Sequence, residues 1–378
     1  MASASVSGQP DVSLEFIADL NISTGAEFFD LPDQPVSRDP ASSQQTSSLQ
    51  DRLRRKSSGE FGGISGIAYD SESKLLYALS DSSKPTIFVL SLEIAERAIR
   101  IAPKDVLRLS DAAGAPIPLW TLDPEGIALS EKGNFLISSE GYAQRTPFVD
   151  PGIFRFGLSG RSLGSLTIPE SYLPKRDGEQ TMGVRPNQGF ESLSLSPSGK
   201  ELYVATEGPL VQDDEQCGEA VGCSVRLLHY RMSADSDQLV AEYAYQKDPP
   251  EAPSDFGNVR PILGLTEILA IGERKLLTLE RGFARAEDGR RRQIIRVYEV
   301  EIPADSQHSE RPLDKRLVLD LDSIVGQLSP GYRRLDNFEG MCLGPNLDNG
   351  NRTILMVSDN NYSERQRTSF LAFQLMEH

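Results

Sequence analysis

GIALSEKGNFLISSE, residues 126–140, reads as an apolar strand, a polar turn, a second apolar strand and a terminal carboxylate. The same arrangement recurs as GIAYDSESKLLYALSD at 66–81, SLSLSPSGKELYVATE at 192–207, ILAIGERKLLTLE at 268–280 and GMCLGPNLDNGNRTILMVSD at 340–359. The starts lie 60, 66, 76 and 72 residues apart, so one supersecondary unit repeats with loops of variable length. A third apolar run follows each hairpin, as in TIFVLSLEI at 86–94 and IIRVYEVEI at 294–302, and then a more polar fourth, as in DVLRLSD at 105–111 and RLVLDLDSI at 316–324. Four antiparallel strands per repeat make the blade of a β-propeller.

The last unit ends at the C-terminus without a fourth strand, whereas VSLEFIADLNI at 12–22 stands alone ahead of the first. Setting that strand on the outer edge of the last blade closes the ring and removes an edge that would invite aggregation. The expected fold is therefore all-β: a propeller of five four-stranded blades closed by an N-terminal strand, with six blades as the alternative if a degenerate one hides in the loops. Residues 12–378 form a single domain and 1–11 a flexible N-terminus. Residues 31–60, rich in Ser, Gln and Pro and lacking apolar periodicity, read as a flexible connection.

A formal charge of −16 disfavours nucleic acid and anionic membrane surfaces as partners, because the mean field repels polyanions. The basic runs at 52–56 and 290–292 read as solvated loops or strand edges. No run of about 18 apolar residues is present, which excludes a spanning helix. A small-molecule ligand and a monomeric state are expected. Cys217 and Cys223 bracket a loop short enough for a disulfide if the chain is exported, and Cys342 lies on a core-patterned strand as a buried thiol.

The hairpins begin just after Ser65, Glu125, Glu191, Glu267 and Glu339 and close on Asp81, Glu140, Glu207, Glu280 and Asp359. In an antiparallel hairpin those two positions lie side by side, so nine carboxylates are expected at one channel mouth. Packed carboxylates repel unless protons or cations neutralise them, and an all-oxygen set suits calcium. The expected metal ligands are Glu125, Glu140, Glu191, Glu207, Glu267, Glu280, Glu339 and Asp359, with Glu191 and Glu339 also catalytic. Arg281, Arg285, Lys84 and Asn360 follow the acids closely in sequence and are the candidate substrate-binding residues, the arginines suiting bidentate capture of phosphate. The plain alternative is that the acids cap strands and pair locally. Three histidines, scattered at 229, 308 and 378, give no zinc or phosphohistidine centre, and Ser65 in GGISG is out of register with a nucleophile elbow.

The motifs DPEG at 123–126, NQGFE at 187–191 and NFEGM at 337–341 resemble those of the phytase-like family, described by an esterase-like activity of phytase, over about residue 60 to the C-terminus. The resemblance implies a propeller, a periplasmic or extracellular location and calcium-dependent hydrolysis of phosphate or other esters. Three functions compete: a metal-dependent phosphoester hydrolase, a calcium-dependent lactonase or carboxylic esterase, and a non-catalytic binding propeller.

Overall fold

The structure, a computed structural model, describes residues 10–24, 49–142, 148–175, 179–213, 222–233, 236–249, 262–304 and 311–378. Strands β2 (Ile64–Asp70), β3 (Leu75–Ser80), β4 (Thr86–Ala95) and β5 (Ala98–Arg108) form blade one. Blade two comprises β6 (Pro124–Leu129), β7 (Asn134–Ser139), β8 (Gly152–Gly157) and β9 (Ser162–Ser165). Blade three comprises β10 (Phe190–Leu195), β11 (Glu201–Thr206), β12 (Ser224–Arg231) and β13 (Gln238–Gln246). Blade four is β14 (Ile262–Ala270), β15 (Lys275–Arg285), β16 (Arg291–Glu301) and β17 (Lys315–Asp320). Blade five takes β18 (Asn337–Leu343), β19 (Thr353–Asp359) and β20 (Arg367–Glu377), and β1 (Val12–Ser23) supplies its outer strand. The innermost strands contact one another in sequence, and β18 meets β2 to close the five-bladed ring.

Every inner strand is covered on both faces, which is why these segments read as unbroken apolar runs rather than alternations. In β3, Leu76 and Ala78 pack toward blade five, while Tyr77 and Leu79 pack toward blade two. Five such inter-blade cores circle the axis. Strand β1 serves two of them: Val12 and Leu14 join the core with blade four, Ala18 and Ile22 the core with blade one. A bulge between Phe16 and Ala18 makes this possible, because one inserted residue moves same-parity side chains to the opposite face.

Residues 49–58 of the segment expected to be a flexible connection form a helix, α1 (Leu49–Ser58). Among its described side chains, Leu53 is exposed and the others, Asp51, Arg54, Arg55 and Lys56, are charged, so no long apolar periodicity marks it. Residues 31–48 and 1–9 lie outside the described residues. Among the described residues no helix is long and apolar enough to cross a membrane. Cys342 is a buried free thiol; Cys223 is disulfide-bonded, and Cys217, the partner expected for it, lies outside the described residues.

Candidate metal centre and anion cleft

Each innermost strand slips its register at the same level: between Ile64 and Gly66, Pro124 and Ile127, Phe190 and Ser192, Leu265 and Glu267, and Phe338 and Gly340. The extra residue in each bulge is unpaired and re-aimed, and bulges of this kind often sit beside functional sites. The equivalent bulged residues are Ser65, Glu125, Glu191, Thr266 and Glu339. On the neighbouring strand, the residue opposite the position two before each bulge is Asp81, Glu140, Glu207, Arg281 or Asp359.

Blade four therefore departs from the expected pattern by one residue. Aligning it on its apolar run ILAI placed Glu267 and Glu280 in the ring, whereas hydrogen-bond register puts Thr266 and Arg281 there. A one-residue shift turns a side chain to the other face. Glu267 occupies the position held by Gly66, Gly126 and Gly340 in other blades, where a Cβ would sit 2.6 to 2.9 Å from neighbouring atoms. Its carboxylate accepts from the backbone N–H groups of Ile268 (2.9 Å) and Met341 (3.2 Å), stapling blade four to blade five.

Glu280 belongs to a separate buried network. It accepts from the Tyr245 hydroxyl (2.7 Å), the Asp248 amide (3.0 Å) and the Lys315 ammonium. Replacing Glu280 with Ala strands Lys315 and Asp248 in a half-satisfied network, so unfolding free energy is expected to fall by about 3 kcal/mol. Calcium affinity should be unchanged, which calorimetry alongside urea unfolding would check.

The remaining carboxylates come together. Ligand oxygens of Asp123, Glu125 and Glu140 lie within 4.8 Å of one another, and so do those of Glu140, Glu191 and Glu207. Glu140 belongs to both groups and also accepts from the Gly189 amide at 3.1 Å. Glu339 stands on the other side of Arg281, whose Nη2 lies 2.5 Å from Glu339 Oε1 and 3.9 Å from Glu207 Oε1. Asn337 Nδ2 donates to the same Glu339 oxygen at 2.7 Å. Asp359 is buried beside Glu339 and Asp81, and its carboxylate accepts from the Asn361 amide.

Burial first, and then mutual repulsion, pushes the carboxyls of Glu125, Glu140, Glu191 and Asp359 well above the usual carboxylate range. The repelling neighbours differ: Glu191 and Asp123 for Glu125, Glu125 and Asp123 for Glu140, Glu207 and Glu140 for Glu191, Glu339 and Asp81 for Asp359. Burial also lifts Glu339, to about 7, against the pull of the Arg281 guanidinium. Among the described residues three side-chain cations reach this cluster. Arg281 is held protonated by Glu339, Glu207 and Glu191 despite its burial. Burial disfavours the charge of Lys56 of α1, but Asp81, with which its ammonium is paired, and Asp123 and Glu125 outweigh that. The buried Lys247 ammonium donates to the Glu207 carbonyl at 2.9 Å, and burial holds its pKa down against the pull of Glu207. Eight carboxyls against these three cations leave a deficit for protons or a bound cation to make up. Buried and half-buried oxygen donors at such separations, with no nitrogen or sulfur among them, fit a hard divalent ion of the calcium type.

Of the other expected residues, Lys84 is exposed, and its carbonyl accepts from the Ser82 and Thr86 hydroxyls. Asn360 is fully engaged in blade closure, accepting from Gly63 N and Tyr362 N at 3.0 Å and donating to Thr24 at 2.9 Å. Arg285, in contrast, lines a cavity of about 1250 Å³ that opens beside Glu339 and Arg281. Arg291, Arg292, Arg334 and Arg365 line it too. Arg292 pairs with Asp322 (2.6 Å) and Arg334 with Asp336 (3.1 Å), but Arg285 and Arg291 stand directly opposite each other across the β15–β16 ladder. Like charges in that position destabilise a sheet unless an anion lies between them.

A family model described as "Phytase-like: Esterase-like activity of phytase" matches residues 59–362. A protein of Arthroderma benhamiae named "Uncharacterized secreted protein" is 27% identical over 180 residues, 40% of this chain and 33% of the relative. The match thus spans a third of that relative's length. Among solved structures, the N-terminal domain of Nup159 superposes over 98% of this chain and 97% of its own, with a TM-score of 0.34 and 9% identity. The periplasmic gluconolactonase of Pseudomonas aeruginosa covers 84% of this chain and 87% of its own, with a TM-score of 0.33 and 11% identity.

Proposed function

The chain belongs to the phytase-like family, and on that footing we propose that it is a calcium-dependent hydrolase of phosphate esters working at the acidic mouth. The observation that carries this reading is the junction of two opposite fields: two carboxylate triads, each with ligand oxygens within 4.8 Å of one another, connect through Arg281, 3.9 Å from Glu207, to a cavity lined by six arginines. Either field alone has a structural explanation; side by side they suit a cation and an anion held in contact.

Asp123, Glu125, Glu140, Glu191 and Glu207 would hold the ion. When bound, it would supply Lewis-acid polarisation of a phosphoryl oxygen and lower the pKa of an attacking water. The chain's own groups account for the rest. Arg281 and Arg285, with Arg291 opposite, bind and orient the phosphoryl oxygens, and because those donors are already in place little reorganisation is required as charge shifts in the transition state. Glu339 faces the cavity with a pKa near neutrality, so it can take a proton from water or return one to the departing alkoxide. Glu191 lies within the field of both Glu339 and Arg281, and Arg281 holds Glu339 through its 2.5 Å ion pair. Hydrolysis adds one water across the P–O bond, releasing alcohol and phosphate.

A panel of phosphomonoesters, carboxylic esters and lactones, assayed with calcium and with chelator, tests this. Calcium-dependent phosphate release is expected; lactone turnover without phosphate release, or calcium binding without any turnover, would replace the reading. The secreted A. benhamiae relative and the disulfide at Cys223 support a periplasmic or extracellular setting.

The metal-free protein should also show an inverted acid response. Glu339 titrates at about 7 in the fold against 4.5 unfolded, so between those values the native state holds the extra proton. Its contribution to stability is complete below the unfolded value and is lost as pH rises through the folded one. The midpoint of thermal unfolding in chelator is expected to fall from about pH 5 to about pH 7.5, and saturating calcium should flatten that fall. A chelated protein that gains stability over this range would contradict the burial of these acids.

A further inference from the structure

Glu207 follows the last residue of β11 in blade three, yet its side chain lies over Gly264 of β14 in blade four. A Cβ at Gly264 would fall 2.6 Å from Glu207 Cγ and 2.7 Å from Cδ, well inside contact distance. Gly264 pairs with Arg281 across the β14–β15 ladder, and paired residues present their side chains on one face. The place a Gly264 side chain would take beside the guanidinium is thus filled by the Glu207 carboxylate, 3.9 Å from Arg281 Nη2. The Glu207 backbone is fixed from behind. Its carbonyl accepts from Leu265 N at 3.2 Å and from the buried Lys247 ammonium at 2.9 Å, and the same ammonium donates to the Leu263 carbonyl at 2.7 Å. These two ties to β14, one at Leu265 and one through Lys247 to Leu263, straddle Gly264.

We propose that Gly264 and Lys247 are positioning residues for Glu207: the bare glycine is the seat of its carboxylate and the ammonium clamps its backbone, so that together they set the calcium affinity of the mouth. The inference rests on the metal reading above and assigns to it two residues that would ligate nothing. Glu207 shares an ion group with Glu140 and Glu191 and also faces Arg281, so its placement fixes how the ion meets the arginine cavity. A carboxylate already seated has little ordering left to do when an ion arrives. Gly189 lies as close to Glu140, but a Cβ there would meet backbone, 2.8 Å from Glu140 Cα. At Gly264 the nearest atoms belong to one flexible side chain, so alanine displaces the ligand and leaves the blade in place.

The test is a double-mutant cycle on the full chain, with calcium chloride as probe, calorimetry for affinity, and terbium luminescence lifetimes for the water left on the bound ion. Gly264→Ala is expected to weaken calcium binding roughly tenfold and to admit a further water to bound terbium, because Glu207 swings away from the ion. In the Glu207→Ala background the same change should alter affinity by less than about twofold, since nothing remains to be displaced. Lys247→Met removes a positive charge, which favours a cation in both backgrounds; the cycle cancels that effect and should leave a loss of about threefold or more that requires Glu207. A thermal midpoint in chelator for each variant separates loss of the seat from loss of the fold. Equal losses with and without Glu207, or an affinity and a terbium lifetime unchanged by the alanine, overturn the positioning role while leaving the metal centre intact. No calcium binding in the wild type overturns both.

Discussion

Changing Glu191 and Glu339 together to Gln is expected to abolish calcium-dependent phosphate release, with a loss of at least about a thousandfold. The two residues sit on the bulges of blades three and five, either side of Arg281, so the double change acts on both halves of the site. Glu191 belongs to the group with Glu140 and Glu207; removing its charge takes one of three carboxylates from that group. Glu339 is the cavity-facing acid with a pKa near 7, and Gln cannot carry its proton. Stability should not suffer in parallel. Replacing charged groups by neutral ones relieves repulsion in a crowded acid cluster, so the metal-free variant is expected to unfold at the same or a higher temperature. Calcium should then raise that temperature less than in the wild type. Phosphate assays and thermal unfolding on the same preparations separate loss of chemistry from loss of fold, and turnover with calcium affinity intact would move the site elsewhere.

Deleting residues 1–24 should have the largest effect on stability. Strand β1 pairs with β20 from Val12↔Glu377 to Ser23↔Arg367, and Val12, Leu14 and Ile22 are buried in two different cores. At roughly 1.5–3 kcal/mol for each large aliphatic side chain, their loss rivals the whole stability of a typical domain. The deletion also bares a long β20 edge, which is a template for pairing with other chains. The truncated protein is expected to aggregate, and a synthetic peptide covering 10–24 should partly restore a monomer by adding back the strand. Size-exclusion chromatography would decide; a folded monomer of unchanged thermal stability would contradict the closure.

What the sequence made legible follows from which forces act locally. Five blades could be read because inner strands buried on both faces produce apolar runs with a fixed partner arrangement, and the N-terminal strand could be placed because a ring needs its edges paired. Four of the five blades kept their acids in the register that apolar alignment suggests. Blade four did not, because Thr266-Glu267 and Glu280-Arg281 present the same residue types one step out of phase, and only the hydrogen-bonded ladder distinguishes them. Asp123 had a signal in the DPEG motif, two positions before Glu125, which was already singled out. Lys56 had none, since its partners Asp81, Asp123 and Glu125 are distant in sequence. The arginine cavity was equally hidden. It assembles residues from β15, β16 and the segments around 334 and 365, and no one segment shows more than a short basic run.

The central claim is the position of the ion, and anomalous diffraction from crystals grown with calcium and then soaked in terbium measures it most directly. The account predicts a peak enclosed by Glu140 and its neighbours, either Asp123 and Glu125 or Glu191 and Glu207, on the side of the mouth away from Asn360. A peak confined to the outer blade edges, or none at all in crystals that diffract well enough to place the carboxylates, would contradict it.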